Sequence, residues 1–171
     1  MKRGEPWILF IDLDGTIWDN LDISALDPPF TRLSEDTIAD SQGVRVKLYK
    51  DIVEVLKWAK GEGAIIAALS WNIPEKAIAA LKAFNIISLF DYLGIDSHPD
   101  KGLTASKIVR DVESRGYKVK PCRIIYIDDR DLHLKGMRER LGDITFIKAW
   151  REFKTADELK NLILNTLQKT C

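Results

Sequence analysis

The sequence predicts an α/β protein, a Rossmann-like three-layer sandwich built on a mostly parallel sheet of about five strands. Short apolar runs alternate with longer segments of helical period along the chain, the pattern of a parallel sheet covered by helices. The length, 171 residues, suits one compact domain with a proper core, and 46% hydrophobic against 30% charged residues is ordinary for such a domain. Residues 1–171 are therefore expected to form a single domain.

Trp7–Ile11 reads as the first strand, Ala64–Leu69 as the second, Tyr92–Ile95 as a short third, Ile124–Ile127 as the fourth and Ile144–Ile147 as the fifth. Helices are expected over Lys50–Gly61, Pro74–Phe84, Gly102–Arg115 and Asp131–Arg140. A last helix, Thr155–Leu167, starts with Thr155 as N-cap and Glu158 three residues on, the pair that makes a capping box. Residues 17–47 show no sustained helical period and carry Asp27-Pro28-Pro29-Phe30. With Val44–Leu48 alternating as a strand does, this insert is expected to be a flap, a loop with a hairpin, over the end of the first strand. No large cap is expected.

Composition narrows the function. Twenty-six basic residues balance twenty-six acidic ones, so no summed positive field points to nucleic acid or a membrane surface, and neither is expected as a partner. Lys2 and Arg3 precede an apolar stretch that Asp12 interrupts, which is a strand and not a signal peptide. With no segment near the roughly 18 apolar residues of a membrane span, a cytoplasmic location is expected. Cys122 and Cys171 lie far apart and form no CxxC pattern, so neither a disulfide framework nor a zinc site is suggested, and Cys122 reads as a small core residue.

Open parallel sheets bind ligands beyond the carboxyl ends of their strands. Asp12 and Asp14 follow the first strand, Ser70 the second, Lys101 lies in the loop before a helix, and Asp128-Asp129 follow the fourth strand. Each alone has an ordinary explanation: paired aspartates cap turns, a serine at a strand end caps something, and most lysines are solvated. Together they supply what phosphoryl transfer requires: a nucleophile, charge neutralisation at the phosphoryl oxygens, and oxygen ligands for a hard cation. Converging carboxylates repel unless a divalent cation sits among them, which points to Mg2+.

Asp12-Leu13-Asp14-Gly15-Thr16, Ser70, Lys101 and Asp128-Asp129 resemble the four ordered motifs of the haloacid dehalogenase superfamily of phosphatases. Asp27-Pro28-Pro29-Phe30, Val46-Lys47-Leu48-Tyr49-Lys50-Asp51 and Ile127-Asp128-Asp129 look like the small capless magnesium-dependent phosphatase family within it. The resemblance implies a magnesium-dependent phosphomonoester hydrolase acting through an aspartyl phosphate on Asp12, its substrate a phosphotyrosine-type or sugar phosphate, either a small molecule or a phosphoprotein. Asp14 would be the general acid and base, and its backbone carbonyl a metal ligand. The Asp12 carboxylate and one of the acidic pair would complete the ligand set, Asp129 directly, with Asp128 the alternative. Leu13, Ser70, Trp71, Asn72 and Lys101 would bind substrate, Ser70 and Lys101 at the phosphoryl oxygens.

The sequence departs from that family after Ser70, where Trp71 and Asn72 replace an arginine and a threonine. Asn72 would then bind phosphate or cap the helix near Pro74, and Trp71 would wall the substrate or pack the loop. Arg130 stands where relatives carry glutamate. His98 and His133 fall near the expected site, and Trp18 and Phe30 line its entrance or anchor the insert. A receiver-type signalling domain uses similar groups but places its lysine last, whereas Lys101 precedes Asp128-Asp129 here. A non-catalytic phosphate-binding or signalling module would be expected to have lost a nucleophile or metal ligand. A phosphotransferase that hands phosphate to an alcohol remains a competing class.

Overall fold

The computed structural model describes residues 5–171, so Lys2 and Arg3 lie outside the described residues. In chain order the elements are β1 (Trp7–Ile11), β2 (Thr31–Arg32), β3 (Thr37–Ala39), β4 (Arg45–Lys47), α1 (Lys50–Gly61), β5 (Ala64–Trp71), α2 (Pro74–Ala83), β6 (Tyr92–Asp96), α3 (Lys101–Ser114), β7 (Ile124–Asp128), α4 (Leu134–Leu141), β8 (Thr145–Lys148) and α5 (Ala156–Gln168). Five strands form a sheet in the order β6-β5-β1-β7-β8, every neighbour pair parallel. Leu9 of β1 sits opposite Ile66 of β5 and Ile125 of β7.

Alternation along each central strand divides the core into two layers. Leu9, Ile11, Ile66, Ala68, Ile125 and Ile127 face one side, where α1, α2 and α5 pack. Ile8, Phe10, Ala67, Leu69, Ile124 and Tyr126 face the other, covered by α3 and α4. The helices match that task. In α1, Ile52, Val55, Leu56 and Ala59 are buried, the i, i+3, i+4, i+7 stripe of an amphipathic helix. The capping box of α5 is present, with Thr155 accepting from the Glu158 amide and Glu158 returning to the Thr155 amide. Gly102 and Gly136 bring α3 and α4 into backbone contact, since a Cβ on Gly102 would lie 2.6 Å from the Gly136 carbonyl oxygen.

Several boundaries differ from expectation, each for a local reason. Lys101 is the first residue of α3 and not part of the preceding loop, because the Asp100 side chain caps the helix by accepting from the Leu103 amide. Helix α4 begins at Leu134 and not at Asp131; Asp131–Leu134 forms a turn first. The insert holds a three-stranded antiparallel sheet, β2-β3-β4, where a single hairpin was expected. The two-residue β2 is exposed on both positions, so no apolar alternation betrays it. Phe30 packs on the core beneath the insert, as an anchor.

The cysteines overturn the expectation outright: Cys122 and Cys171 form a disulfide with their Cα atoms 5.8 Å apart. Helix α5 runs back toward the turn that precedes β7, where the Arg123 guanidinium donates to the Leu167 carbonyl. Sequence separation, 49 residues, says nothing of that return.

Candidate active site

The strand order places the tips of β5, β1 and β7 side by side, and the polar residues follow from it. Asp12 continues β1, its amide donating to the Ile127 carbonyl at 2.9 Å. Asp128 ends β7, Ser70 lies near the end of β5 and Lys101 opens α3. All four are at most 3% exposed. Lys101 Nζ donates to Asp12 Oδ1 and to Asp128 Oδ2, both at 2.7 Å. Asp12, Asp128 and Asp129 each bring a carboxylate oxygen to within 4.8 Å of the others. Gly15 is what lets Asp129 come close: its φ of +68° requires a residue without a side chain, and a Cβ there would stand 2.7 Å from Asp129 Oδ2.

Burial dominates the electrostatics. It pushes the Asp12 carboxyl up to about 8, with Asp128 and Asp129 adding to the rise and Lys101 working against it. Burial, then repulsion from Asp128, likewise raises Asp129. For Asp128 burial also acts upward, but the Lys101 ion pair, the Tyr126 hydroxyl and the Arg130 amide outweigh it and leave this carboxyl below its ordinary value. Burial would lower Lys101, yet its two aspartate partners raise it on balance. Asp128 therefore already has a donor on each oxygen, whereas among the described residues Asp129 receives only a long contact of 3.4 Å from the Thr16 hydroxyl. A cluster in which burial and mutual repulsion force Asp12 and Asp129 toward the neutral form while Asp128 stays charged, and which offers hard oxygen donors, fits a divalent cation of the magnesium type.

Asp14 is held apart from the cluster. Trp18 Nε1 donates to its Oδ1 at 2.7 Å, the Ile23 amide to the same oxygen at 3.2 Å, and Asn72 Nδ2 to its Oδ2 at 2.8 Å. Burial raises its carboxyl, opposed chiefly by the Trp18 hydrogen bond. Asn72 thus orients Asp14, while its Oδ1 accepts from the adjacent Ile73 amide at 2.9 Å; it does not cap α2, whose N-cap is Ile73. Trp71 is 48% exposed and its indole donates to the Ser97 carbonyl at 3.0 Å. Leu13 is fully buried in the core and its carbonyl accepts from the Thr16 and Ile17 amides.

Three supporting roles, those of Thr16, Tyr126 and Trp18, escaped sequence reasoning. The Thr16 hydroxyl reaches toward Asp12 and Asp129 and accepts from the Asp129 amide at 3.1 Å, tying the tips of β1 and β7. Tyr126 donates to Asp128, two residues along β7 on the same face. Trp18 is no entrance residue; it is buried, stacks on Phe84 at 5.9 Å and holds Asp14. The spacing of Thr16 and Trp18 from Asp12 and Asp14, four residues in each case, was the signal available. Of the two histidines, His98 accepts from the Asp100 amide in the loop before α3. His133 packs edge-on to Trp71 at 6.5 Å, with Nε2 buried and unpartnered among the described residues.

Solved structures share this architecture. A haloacid dehalogenase superfamily hydrolase from Ehrlichia chaffeensis superposes with a TM-score of 0.63 at 12% identity, covering 96% of this chain and 99% of that one. The phosphatase-containing N-terminal part of a Bacteroides fragilis protein, crystallised with magnesium, gives 0.62 at 20% identity, covering 98% of this chain and 41% of that one. At such identities the likeness shows the fold alone, a haloacid dehalogenase-like one. More particularly, the chain belongs to the acid phosphatase family, which it matches over residues 5–127. Human magnesium-dependent phosphatase 1 is 35% identical over 86 residues, half of this chain and 49% of that protein's length.

Proposed function

We propose that this chain is a magnesium-dependent phosphomonoester hydrolase with Asp12 as nucleophile. The observation that carries this is the Asp12 carboxylate itself, buried at a strand tip, 2.7 Å from Lys101 Nζ and grouped with Asp128 and Asp129. Family membership and the name of the human relative support it.

Asp12 attacks phosphorus, forming an Asp12 O–P bond as the P–O bond to the leaving group breaks. Asp14, its carboxyl raised by burial and its orientation fixed by Trp18 and Asn72, gives its proton to the departing oxygen. The resulting Asp14 carboxylate then takes a proton from the water that attacks the aspartyl phosphate. Orthophosphate leaves and Asp12 is regenerated. Lys101 holds Asp12 in place and Ser70 faces the phosphoryl oxygens. Asp12, Asp129 and the Asp14 carbonyl would hold Mg2+, with Asp128 orienting Lys101. When bound, the ion neutralises the converging carboxylates and withdraws charge from the phosphoryl group. Residues 17–47 act as a flap beside an uncapped site that admits a small phosphotyrosine-type or sugar phosphate. No described helix is long and apolar enough to cross a membrane, and an aqueous, cytoplasmic reaction is part of the proposal.

The test is hydrolysis of 4-nitrophenyl phosphate by the purified chain with Mg2+, with a chelator, and by Asp12→Asn. Turnover in the first case alone is expected. Activity that survives the chelator or the substitution overturns the mechanism.

A further inference from the structure

Beside Asp14 opens a cleft of about 390 Å3, which Leu21, Trp71, Ile73 and Arg130 also line. Three of its walls are apolar side chains left in solvent: Leu21 at 76%, Trp71 at 48% and Ile73 at 42% exposure. Its two acidic residues already have protein donors. Asp14 is bonded by Trp18, Ile23 and Asn72, and Asp22 accepts from both the amide and the hydroxyl of Ser24. Arg130 differs: its guanidinium has no ion-pair or hydrogen-bond partner among the described residues, while its backbone amide is fixed to Asp128 at 3.0 Å. The charged group in the cleft that lacks a partner among the described residues is therefore a cation, lining the same cleft as the acid that would protonate a leaving group.

We propose that this cleft selects phosphomonoesters whose leaving group carries a second anion, a carboxylate or another phosphate, on a ring or similarly flat body. The body lies against Trp71 and Leu21, and the second anion pairs with Arg130. The volume suits a small molecule, at the lower end of the range typical of ligand pockets. Guanidinium recognises either anion in the same planar, forked manner. This inference rests on the phosphatase reading, because it takes Asp14 as marking the leaving-group side.

The test compares phenyl phosphate, 4-carboxyphenyl phosphate, 1,4-phenylene bisphosphate and 4-(aminomethyl)phenyl phosphate, using the full chain with Mg2+, against Arg130→Ala and Arg130→Glu. Calorimetric binding of phenylphosphonate and its 4-carboxy analogue accompanies the kinetics. A preference in kcat/KM of about tenfold for an anionic over a neutral ester is expected, the size of one charge-assisted hydrogen bond. It should shrink to about twofold or less in Arg130→Ala and turn toward the aminomethyl ester in Arg130→Glu. Comparison of the carboxylate and bisphosphate tells which anion the cleft prefers. If the wild type hydrolyses all esters alike, or Arg130→Ala slows them all by one factor, the inference falls and the phosphatase reading stands. If no ester is hydrolysed but the phosphonates show the same charge preference and the same loss, the phosphatase reading falls and the cleft's selectivity stands. Absence of both turnover and discrimination overturns both.

Discussion

Aspartates organise two regions of this protein, the strand-tip cluster around Asp12 and the turn around Asp40 in the insert, and their surroundings are opposite. Asp40 is buried, but it accepts from the backbone amides of Asp27, Gln42 and Val44 at 2.8 to 3.0 Å. Those donors, the Asp27 amide foremost, pull its carboxyl below the ordinary value despite burial. Asp12 lies deeper, with a single strong donor, Lys101, and with two further carboxylates nearby, and burial first, then those carboxylates, pushes its carboxyl up to about 8. A structural aspartate is surrounded by donors until its charge is stable. A cluster poised for a cation leaves charge uncompensated, and that imbalance is the physical mark of the site.

The sharpest way to break the contrast is Asp12→Asn. It should lower kcat by about a thousandfold or more, since the proposed nucleophile and cation ligand are both lost. It should also abolish any rise in melting temperature on adding Mg2+, which the wild type is expected to show because a ligand that binds only the folded state stabilises it. An Asp12→Asn protein that still gains stability from Mg2+ would place the ion elsewhere.

Lys101→Met comes next. Removing the ammonium leaves Asp12 and Asp128 buried without their cation, and a loss of about 3–5 kcal/mol is expected in denaturant unfolding without metal. Added Mg2+ should recover part of that loss. Unfolding at wild-type denaturant concentration would mean the cluster tolerates its own repulsion.

Cys171→Ser provides the comparison outside both regions. Opening a 49-residue loop should cost about 2–4 kcal/mol of global stability. The Mg2+-induced shift and the turnover number should not change, because the bridge lies at the base of β7, at the opposite end of that strand from Asp128.

Asp40→Asn gives the smallest effect and a definite pH dependence. A depressed carboxyl contributes stability that is present above its unfolded value, about 3.9, and is lost as pH falls through the lower folded value. The substitution should therefore speed hydrogen exchange at the Gln42 and Val44 amides at neutral pH. Below the folded value the two proteins should converge. Equal exchange at pH 7 would show that geometry, and not charge, holds this turn.

The sheet was legible because β1 is apolar throughout and β5 and β7 carry no charged residue before Ser70 and Asp128, near their ends, and only a sheet covered on both faces needs such strands. The placement of the candidate site was legible because Asp12, Asp14, Ser70, Lys101 and Asp128-Asp129 each stand just beyond an apolar run or at a helix start. The insert was less so: β2 is two exposed residues whose pairing with β3 is fixed by backbone bonds, on which side-chain pattern has no purchase.

What the sequence determined by itself was the order of the main strands and helices, the capping box of α5 and the polar groups that stand at the strand ends, because these depend on local period and residue type. Only the tertiary structure decided which groups touch. It joined Cys122 to Cys171, assigned Asn72 and Trp18 to Asp14, engaged Asp128 with Lys101 and Tyr126 so that Asp129 is the freer carboxylate, and left Arg130 alone in its cleft. Each of these depends on a distance between residues remote in sequence, which the chain sets only by folding.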